Sequence, residues 1–217
     1  MLEVGSGTGA ITIDLAAFAP GRTYGLDIDQ AANSFAAALI PGVPFVTGDG
    51  LRLPFASGAF EASVCHFLLL WIADPTQALR EMRRVTAPGG WVACLAEPDY
   101  GGRIDYPLAL SLVGQWQSEA LRGQGARIET GRTLLALLHA AELEQVEGGV
   151  LGAEWRAGQI AAVDPTEWAT LRHDLAGSQY AAQLDSLQAA EQRARRQGSR
   201  VLYVPTFYAH GRVQPAS

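Results

Sequence analysis

The sequence of 217 residues contains no lysine, only two cysteines and no long hydrophobic run. All its basic residues are arginines, and its net charge of -6 offers no broad basic face for the phosphates of a nucleic acid. Cys65 and Cys94 lie within apolar segments, which argues against a disulfide framework. Because neither a secretory leader nor a bilayer-spanning stretch is evident, we expect a cytoplasmic protein that binds neither nucleic acid nor membrane.

The length and composition of the chain are those of a single globular domain. At 48% hydrophobic residues, the sequence can bury a core without disulfides or structural metals. We therefore predict one domain over residues 1–217, with a cofactor-binding half at 1–97 and a substrate-side half at 98–217. No internal repeat or linker argues for a further boundary. A homodimer is compatible with this organisation.

Short β-rich runs alternate with helical patterns in the first half, which predicts a mostly parallel sheet with helices on both faces. The predicted strands are 1–4, 23–27, 44–47, 59–65 and 91–97, and the predicted helices are 10–18, 30–39 and 75–85. The second half is more helical, with predicted helices at 107–122, 132–142, 165–176 and 180–197 and β-like runs at 145–151 and 201–210. We therefore predict a doubly wound α/β fold of seven strands, with a helical insertion before the last strand.

The first strand-to-helix turn carries Gly5, Gly7 and Gly9 and is the expected cofactor cradle of such a sheet. Glycines are needed there because the backbone bends sharply and comes close to a bound group. The spacing is G-x-G-x-G, whereas the dinucleotide fingerprint is G-x-G-x-x-G. The turn therefore favours a cofactor other than a nicotinamide dinucleotide.

Three further segments follow this turn in order: YGLDID at residues 24–29, VTGDG at 46–50, and the stretch from 60 to 90. Together with LEVGSGTG at residues 2–9, they resemble the class I S-adenosylmethionine-dependent methyltransferases. The resemblance is to the branch that includes the quinone C-methyltransferases and many small-molecule methyltransferases. It runs from residue 1 to about residue 97, and beyond that point it is a resemblance of fold only.

The resemblance implies S-adenosylmethionine as the cofactor and a small molecule as the methyl acceptor, through a carbon, oxygen or nitrogen nucleophile. In the family, the residue at the Glu3 position helps to hold the methionine ammonium, Asp27 accepts both ribose hydroxyls, and Asp49 accepts from the adenine amino group. The cofactor-binding residues implied in this way are Glu3, Gly5, Ser6, Gly7, Gly9, Asp27, Ile28, Asp49, Gly50, Leu51, Cys65 and His66.

His66 is the candidate catalytic base because it follows the fourth predicted strand at the carboxyl edge of the sheet. A base is needed for a hydroxyl or an acidic carbon, and less so for an amine or a thiolate. The alternative is that His66 only packs at this edge. Tyr100 and Arg103 are candidates for contact with the acceptor, although their polar segment also fits a solvated connection. No metal is expected, because no Cys or carboxylate accompanies a histidine at metal-ligand spacing.

Two alternative functions stay open at this point. One is an NAD-dependent oxidoreductase, and the other is a catalytically weak or inactive methyltransferase-like binding or scaffold protein. The second is motivated by the start of the sequence, because this branch usually has helices before the first strand and the fold is therefore expected to be N-terminally short. Two structural interpretations accompany these: Asp29 as a helix N-cap, and the arginines at 193, 195, 196 and 200 as cations at a helix end.

Overall fold

The computed structural model describes residues 1–152 and 165–215. The strands are β1 (Leu2–Val4), β2 (Tyr24–Asp27), β3 (Phe45–Thr47), β4 (Phe60–His66), β5 (Thr86–Pro98), β6 (Ile104–Tyr106), β7 (Glu144–Leu151), β8 (Val201–Tyr203) and β9 (Thr206–Arg212). The helices are α1 (Thr12–Phe18), α2 (Gln30–Leu39), α3 (Pro75–Val85), α4 (Ser111–Gly123), α5 (Leu134–Ala140), α6 (Pro165–Asp174) and α7 (Leu184–Arg196). Within the described ranges, no helix has the length and apolar character needed to cross a membrane.

Seven strands form one sheet in the order β3-β2-β1-β4-β5-β9-β7. The pairs β1–β2, β1–β4, β2–β3 and β4–β5 are parallel. The predicted doubly wound, mostly parallel sheet of seven strands is thus confirmed. The chain steps outward from β1 to β3 and returns to place β4 on the other side of β1. Ligands of open α/β sheets bind at such a reversal, outside the carboxyl ends of the strands.

The helices that follow β2 and β4 begin at capping residues that the sequence supplies. The Asp29 carboxylate accepts from the backbone N–H of Ala31 at 2.8 Å, so the predicted N-cap of α2 is confirmed. Asp74 caps α3 in the same way by accepting from Gln77 N–H at 2.9 Å, with Pro75 in the first turn. These caps fix where the helices leave the carboxyl edge of the sheet.

Strand β5 begins at Thr86, earlier than the predicted start at residue 91. The register pairs Phe60 with Thr86 and then Ala62 with Trp91, so the Pro88-Gly89-Gly90 segment is accommodated in a bulge. Helix α3 ends at Val85, as predicted, and the Pro88-Gly89-Gly90 segment three residues later marks an irregularity within β5.

The predicted β-run at 201–210 is wrong as a single strand, because it is divided into β8 and β9 in two different sheets. Pro205 lies between them and has no backbone N–H to donate to a ladder. Strand β8 pairs antiparallel with β6, which lies in the segment that the sequence indicated as a polar connection. Each of these short strands forms by pairing with a strand that is distant in sequence, and no local sequence pattern predicts this pairing.

The chain divides into two compact units. The first unit comprises Met1–Glu97, Thr130–Val150 and Phe207–Ser217, and the second comprises Pro98–Glu129 and Leu151–Thr206. The buried leucines Leu2, Leu79 and Leu138 belong to the core of the first unit. Trp116 and Trp168 belong to a separate apolar cluster in the second. The single-domain interpretation of the sequence therefore stays a prediction beside this division.

Buried ion pairs join β6, α7 and the residue that precedes β8 in the second unit. Arg200 contacts Asp105 at 2.8 Å and Glu191 at 2.9 Å, and Arg103 contacts Asp105 at 2.7 Å. The interpretation of the basic cluster is confirmed for Arg193, Arg195 and Arg196, which lie in the last turn of α7. It is wrong for Arg200, whose guanidinium is buried among carboxylates.

Candidate functional site

The glycine turn follows β1 at the carboxyl edge of the sheet. The N–H groups of Gly5 and Ser6 both donate to the carbonyl of Leu26, at 2.7 and 2.9 Å, which fastens the turn to β2. Helix α1 begins at Thr12 rather than at residue 10, so the turn is longer than predicted. The three glycines have positive φ angles of 75°, 49° and 85°. Other residue types adopt such angles only with strain.

The glycines differ in what surrounds them. A Cβ on Gly5 would lie 2.6 Å from the Leu68 side chain, and one on Gly9 would lie 2.8 Å from Ile40, whereas one on Gly7 would have no atom within 4 Å. Gly5 therefore permits close packing of the segment after β4, and Gly9 permits close packing beside α2. Gly7 is required for its backbone conformation alone.

Alanine substitutions should separate these roles in the cofactor-free protein. Gly7→Ala is expected to lower the free energy of unfolding by about 1–2 kcal/mol, the cost of a left-handed residue. Gly5→Ala adds a steric clash with Leu68, and we expect a loss of about 2–4 kcal/mol. Urea unfolding of the two variants beside wild type measures both values. Equal losses would contradict the packing role of Gly5.

Asp27 ends β2 and is tied to the glycine turn. Its two carboxylate oxygens accept from the N–H of Gly7 at 2.7 Å and from the N–H of Asp29 at 2.9 Å. The Asn33 side-chain amide donates to the Asp27 carbonyl at 3.0 Å and to the Val46 carbonyl at 3.3 Å. The ends of β2 and β3 and the glycine turn are therefore held in one geometry before any ligand binds.

A cavity of about 320 Å³, here called the strand-end cavity, opens at the carboxyl ends of β1, β2 and β3. It brings together six of the predicted cofactor residues: Gly5, Asp27, Ile28, Asp49, Gly50 and Leu51. Asp49 accepts from the N–H of Leu51 at 2.8 Å, which shapes the loop after β3. This volume and the mixture of apolar walls with two carboxylates are those of a small-molecule site.

The sequence did not single out the other wall of the strand-end cavity, formed by Leu68, Trp71, Ile72 and Ala73. These residues directly follow β4, at the same edge as the glycine turn. Apolar residues of this kind are typical of a buried core, and only their position after a strand end indicates a site. Trp71 is half exposed at this wall.

Glu3 and Ser6 lie beneath the glycine turn rather than on the cavity surface. The buried Glu3 carboxylate accepts a hydrogen bond from the Thr12 hydroxyl, and burial raises the pKa of Glu3 to about 7. The Ser6 hydroxyl is buried and has no hydrogen-bond partner among the residues that the structure describes. A buried hydroxyl without a partner is costly, and this one lies beside Gly25, on which a Cβ would be 2.9 Å from the Ser6 oxygen.

Cys65 and His66 end β4 in different surroundings. Cys65 is fully buried in the core, opposite Cys94 in the strand register. His66 is partly buried and makes an edge contact with the Phe67 ring, with centroids 4.4 Å apart. Burial lowers the pKa of the His66 imidazole, so its neutral form, which can accept a proton, is favoured. Neither residue is among those that line the strand-end cavity.

Glu97 is a buried carboxylate that the sequence did not indicate as part of the site. Its Oε1 accepts from the N–H groups of Leu68 and Leu69, both at 2.9 Å, and its Oε2 accepts from Leu70 N–H at 3.3 Å. The side chain is inaccessible to solvent, and this burial raises the pKa of Glu97 to about 7. The Glu97 side chain therefore fixes the backbone at the start of the cavity wall formed by residues 68–73.

The predicted acceptor residues Tyr100 and Arg103 line a second cavity, of about 450 Å³, within the second unit. Arg103 is already engaged there, because it donates to Asp105 at 2.7 Å and to the Gln117 side chain at 2.5 Å. In the part of the chain that the structure describes, no three His, Cys, Asp or Glu side chains converge as a metal site requires. The expected absence of a metal stays a prediction.

Comparison with known sequences gives a match in the same part of the chain. Residues 2–94 match the family described as a methyltransferase domain. A demethylmenaquinone methyltransferase of Mycolicibacterium vanbaalenii is 39% identical over 90 residues, which cover 42% of this chain and 38% of that protein. An uncharacterised methyltransferase of Schizosaccharomyces pombe is 31% identical over 147 residues, covering 62% of this chain and 52% of that one. The matches thus span about two fifths to one half of these relatives.

Solved structures share the fold over nearly the whole chain. The 4+2 cyclase SpnF has a TM-score of 0.62 at 24% identity and covers 100% of this chain and 74% of its own. A geranyl diphosphate C-methyltransferase from Streptomyces coelicolor has a TM-score of 0.58 at 18% identity, with 98% and 72% covered. At these identities the likeness concerns the fold alone, and the first example shows that the fold also serves a cyclase. Residues 2–94 carry a methyltransferase domain sequence, and the chain has the fold of the class I S-adenosylmethionine-dependent methyltransferases.

Proposed function

We propose that the protein transfers a methyl group from S-adenosylmethionine to a small-molecule acceptor. The observation that supports this best is the convergence of Asp27, Asp49 and the glycine turn on one cavity of about 320 Å³. These residues come from the carboxyl ends of β1, β2 and β3, and all of them lie within the residues 2–94 that match the methyltransferase domain.

The residues present fit this cofactor. The Asp27 carboxylate can accept from the two ribose hydroxyls, and Asp49 can accept from the adenine amino group. Gly5 lines the cavity, and Gly7 leaves the space beside its backbone open, because a Cβ there would have no atom within 4 Å. When bound, the cofactor supplies an electrophilic methyl group on its sulfonium. Ile28 and Trp71 offer apolar surface that can exclude water from this reaction.

The chain contributes chiefly by alignment, because methyl transfer from a sulfonium is an in-line displacement. His66 is the last residue of β4, at the same edge, and favours its neutral form, so a ring nitrogen can take the proton that a hydroxyl or carbon acceptor loses. We propose Tyr100 and Arg103 as residues that contact the acceptor, since both line the cavity of the second unit.

Calorimetric titration tests the cofactor assignment. The protein should release heat with S-adenosylmethionine and with S-adenosylhomocysteine, and none with NAD or NADH. Binding of the nicotinamide cofactors alone would favour the oxidoreductase alternative. A coupled assay for homocysteine release across pooled metabolites then tests turnover, and cofactor binding without turnover on any pool would favour the scaffold alternative.

His66→Ala tests the proposed base. We expect the turnover number at neutral pH to fall about 100-fold, within the usual range for loss of a general base, with an unchanged dissociation constant for S-adenosylhomocysteine. His139→Ala is the matched control, because His139 is exposed on α5 in the first unit. Unchanged turnover of His66→Ala with an identified acceptor would remove His66 from the mechanism.

A further inference from the structure

The segment that follows β4 reverses direction within a few residues. Phe67 has a positive φ of 49°, which is unfavourable for a residue with a large side chain, and its N–H donates to the Ala96 carbonyl at 2.8 Å. Trp71 N–H then donates to the Leu68 carbonyl at 2.9 Å, which closes a turn. Some interaction must hold the three intervening N–H groups, because they are in a part-buried segment without strand partners.

Glu97 supplies that interaction from the neighbouring strand β5. All three N–H groups, from Leu68 to Leu70, point at one carboxylate that no solvent reaches. Three N–H groups share this one acceptor side chain, and its low-dielectric surroundings strengthen each of the hydrogen bonds. The turn is therefore fixed relative to β5 as well as to β4.

The same turn forms the wall of the strand-end cavity. Leu68 lines the cavity and packs against Gly5, where a Cβ would come within 2.6 Å of its side chain. Trp71 and Ile72 continue the wall, and Ile72 would be 3.4 Å from a Cβ on Gly50. A displacement of the turn would consequently move both the wall and the contact with the glycine turn.

We propose that Glu97 is a positioning residue of the strand-end cavity: its carboxylate holds the N–H groups of Leu68–Leu70 so that Leu68 and Trp71 form the wall against which the ligand binds. Glu97 acts through the backbone and does not touch the ligand. The proposal rests on the proposed function only for the identity of that ligand.

Two conservative variants distinguish a requirement for the length of the Glu97 side chain from a requirement for its charge. Glu97→Asp keeps the charge but shortens the side chain, so it cannot serve all three N–H groups without moving the turn. Glu97→Gln keeps the length, and its amide oxygen can occupy the Oε1 position that serves Leu68 and Leu69. A positioning role therefore predicts that Asp is worse than Gln. A requirement for charge predicts the reverse order.

The experiment measures S-adenosylhomocysteine affinity by calorimetry and backbone amide exchange of the ligand-free proteins. We expect Glu97→Asp to bind about tenfold more weakly, a factor that corresponds to one lost hydrogen bond, and Glu97→Gln to stay within about threefold of wild type. Exchange at Leu68–Leu70 should accelerate in Glu97→Asp. Glu81→Asp is the matched control, because Glu81 accepts from Leu53 N–H at 2.9 Å, away from the cavity wall.

The two measurements also separate this proposal from the proposed function. Faster exchange with unchanged affinity, or weaker affinity with unchanged exchange, would overturn the positioning role. An affinity order with Gln below Asp would overturn it as well. If wild type does not bind S-adenosylhomocysteine, the proposed function fails, and exchange in Glu97→Asp alone then decides whether Glu97 holds the turn.

Discussion

Asp27→Asn should weaken binding of S-adenosylhomocysteine by about 100-fold. Two charge-assisted hydrogen bonds to the ribose are lost or weakened, at about 1.5 kcal/mol each, and 1.4 kcal/mol corresponds to a factor of ten. The asparagine amide would also face one of the N–H groups, of Gly7 or Asp29, that the carboxylate now accepts. Calorimetry at fixed pH and salt gives the ratio of the dissociation constants.

Asp29→Asn is the matched control for this substitution. It removes the same charge two residues away, and asparagine caps a helix about as well as aspartate, so α2 should remain intact. Its expected effect on affinity is less than threefold. If the two variants weakened binding equally, a general electrostatic effect would replace the specific role of Asp27.

The free energy of unfolding should fall as pH rises from about 4.5 to about 7. Burial raises the pKa of both Glu3 and Glu97 from 4.5 to about 7, so the folded state binds more protons than the unfolded state between these values. The stability that these groups contribute is fully present below the unfolded pKa and is lost as pH rises through the folded one. Each shift corresponds to on the order of 3 kcal/mol.

Chemical denaturation of Glu3→Gln and Glu97→Gln at pH 5, 6, 7 and 8 isolates these contributions. Each variant should lose part of the pH dependence, and the double variant most of it. His66 acts in the opposite sense, because its lowered pKa makes stability rise with pH below 6.5, and comparison with wild type cancels this effect. Glu81→Gln should keep the wild-type slope in this range, since the pKa of Glu81 is lowered and it titrates below pH 4.5. If the double variant kept the full dependence of unfolding free energy on pH, that dependence would have to come from other titratable groups.

Local signals in the sequence were sufficient for strands β1 to β4, and the predicted residues make up about half of those that line the strand-end cavity. Strands β1 to β4 and helix α3 are bounded by glycine, proline and capping residues, so their positions follow from nearby residues. The cavity residues Asp27 and Asp49 were identified through the resemblance of YGLDID and VTGDG to segments of a known family. Their place at the carboxyl ends of predicted strands agreed with this, because parallel strands bring those ends together. The positions of these strands and of the two carboxylates follow from the order of the secondary-structure elements along the chain.

The rest depended on contacts between distant residues. Glu97 serves N–H groups that lie 27 to 29 positions earlier in the chain, and in sequence it is an ordinary acid at a strand end. Strand β6 exists only because β8, almost a hundred residues later, pairs with it. Arg200 read as a helix-end cation because its partner Asp105 is equally remote. Pairings of this kind leave no periodic pattern in either segment.

The two compact units interrupt one another along the chain, and this limits how the protein can be divided. The segments 98–129 and 151–206 belong to the second unit, so the first unit is assembled from three pieces of the chain. A fragment ending at Glu97 would lack β7 and β9 and would expose the edge of β5, which favours aggregation. No single cleavage separates the units as intact bodies. A minimal cofactor-binding protein would instead require two new junctions, from Glu97 to Thr130 and from Val150 to Phe207.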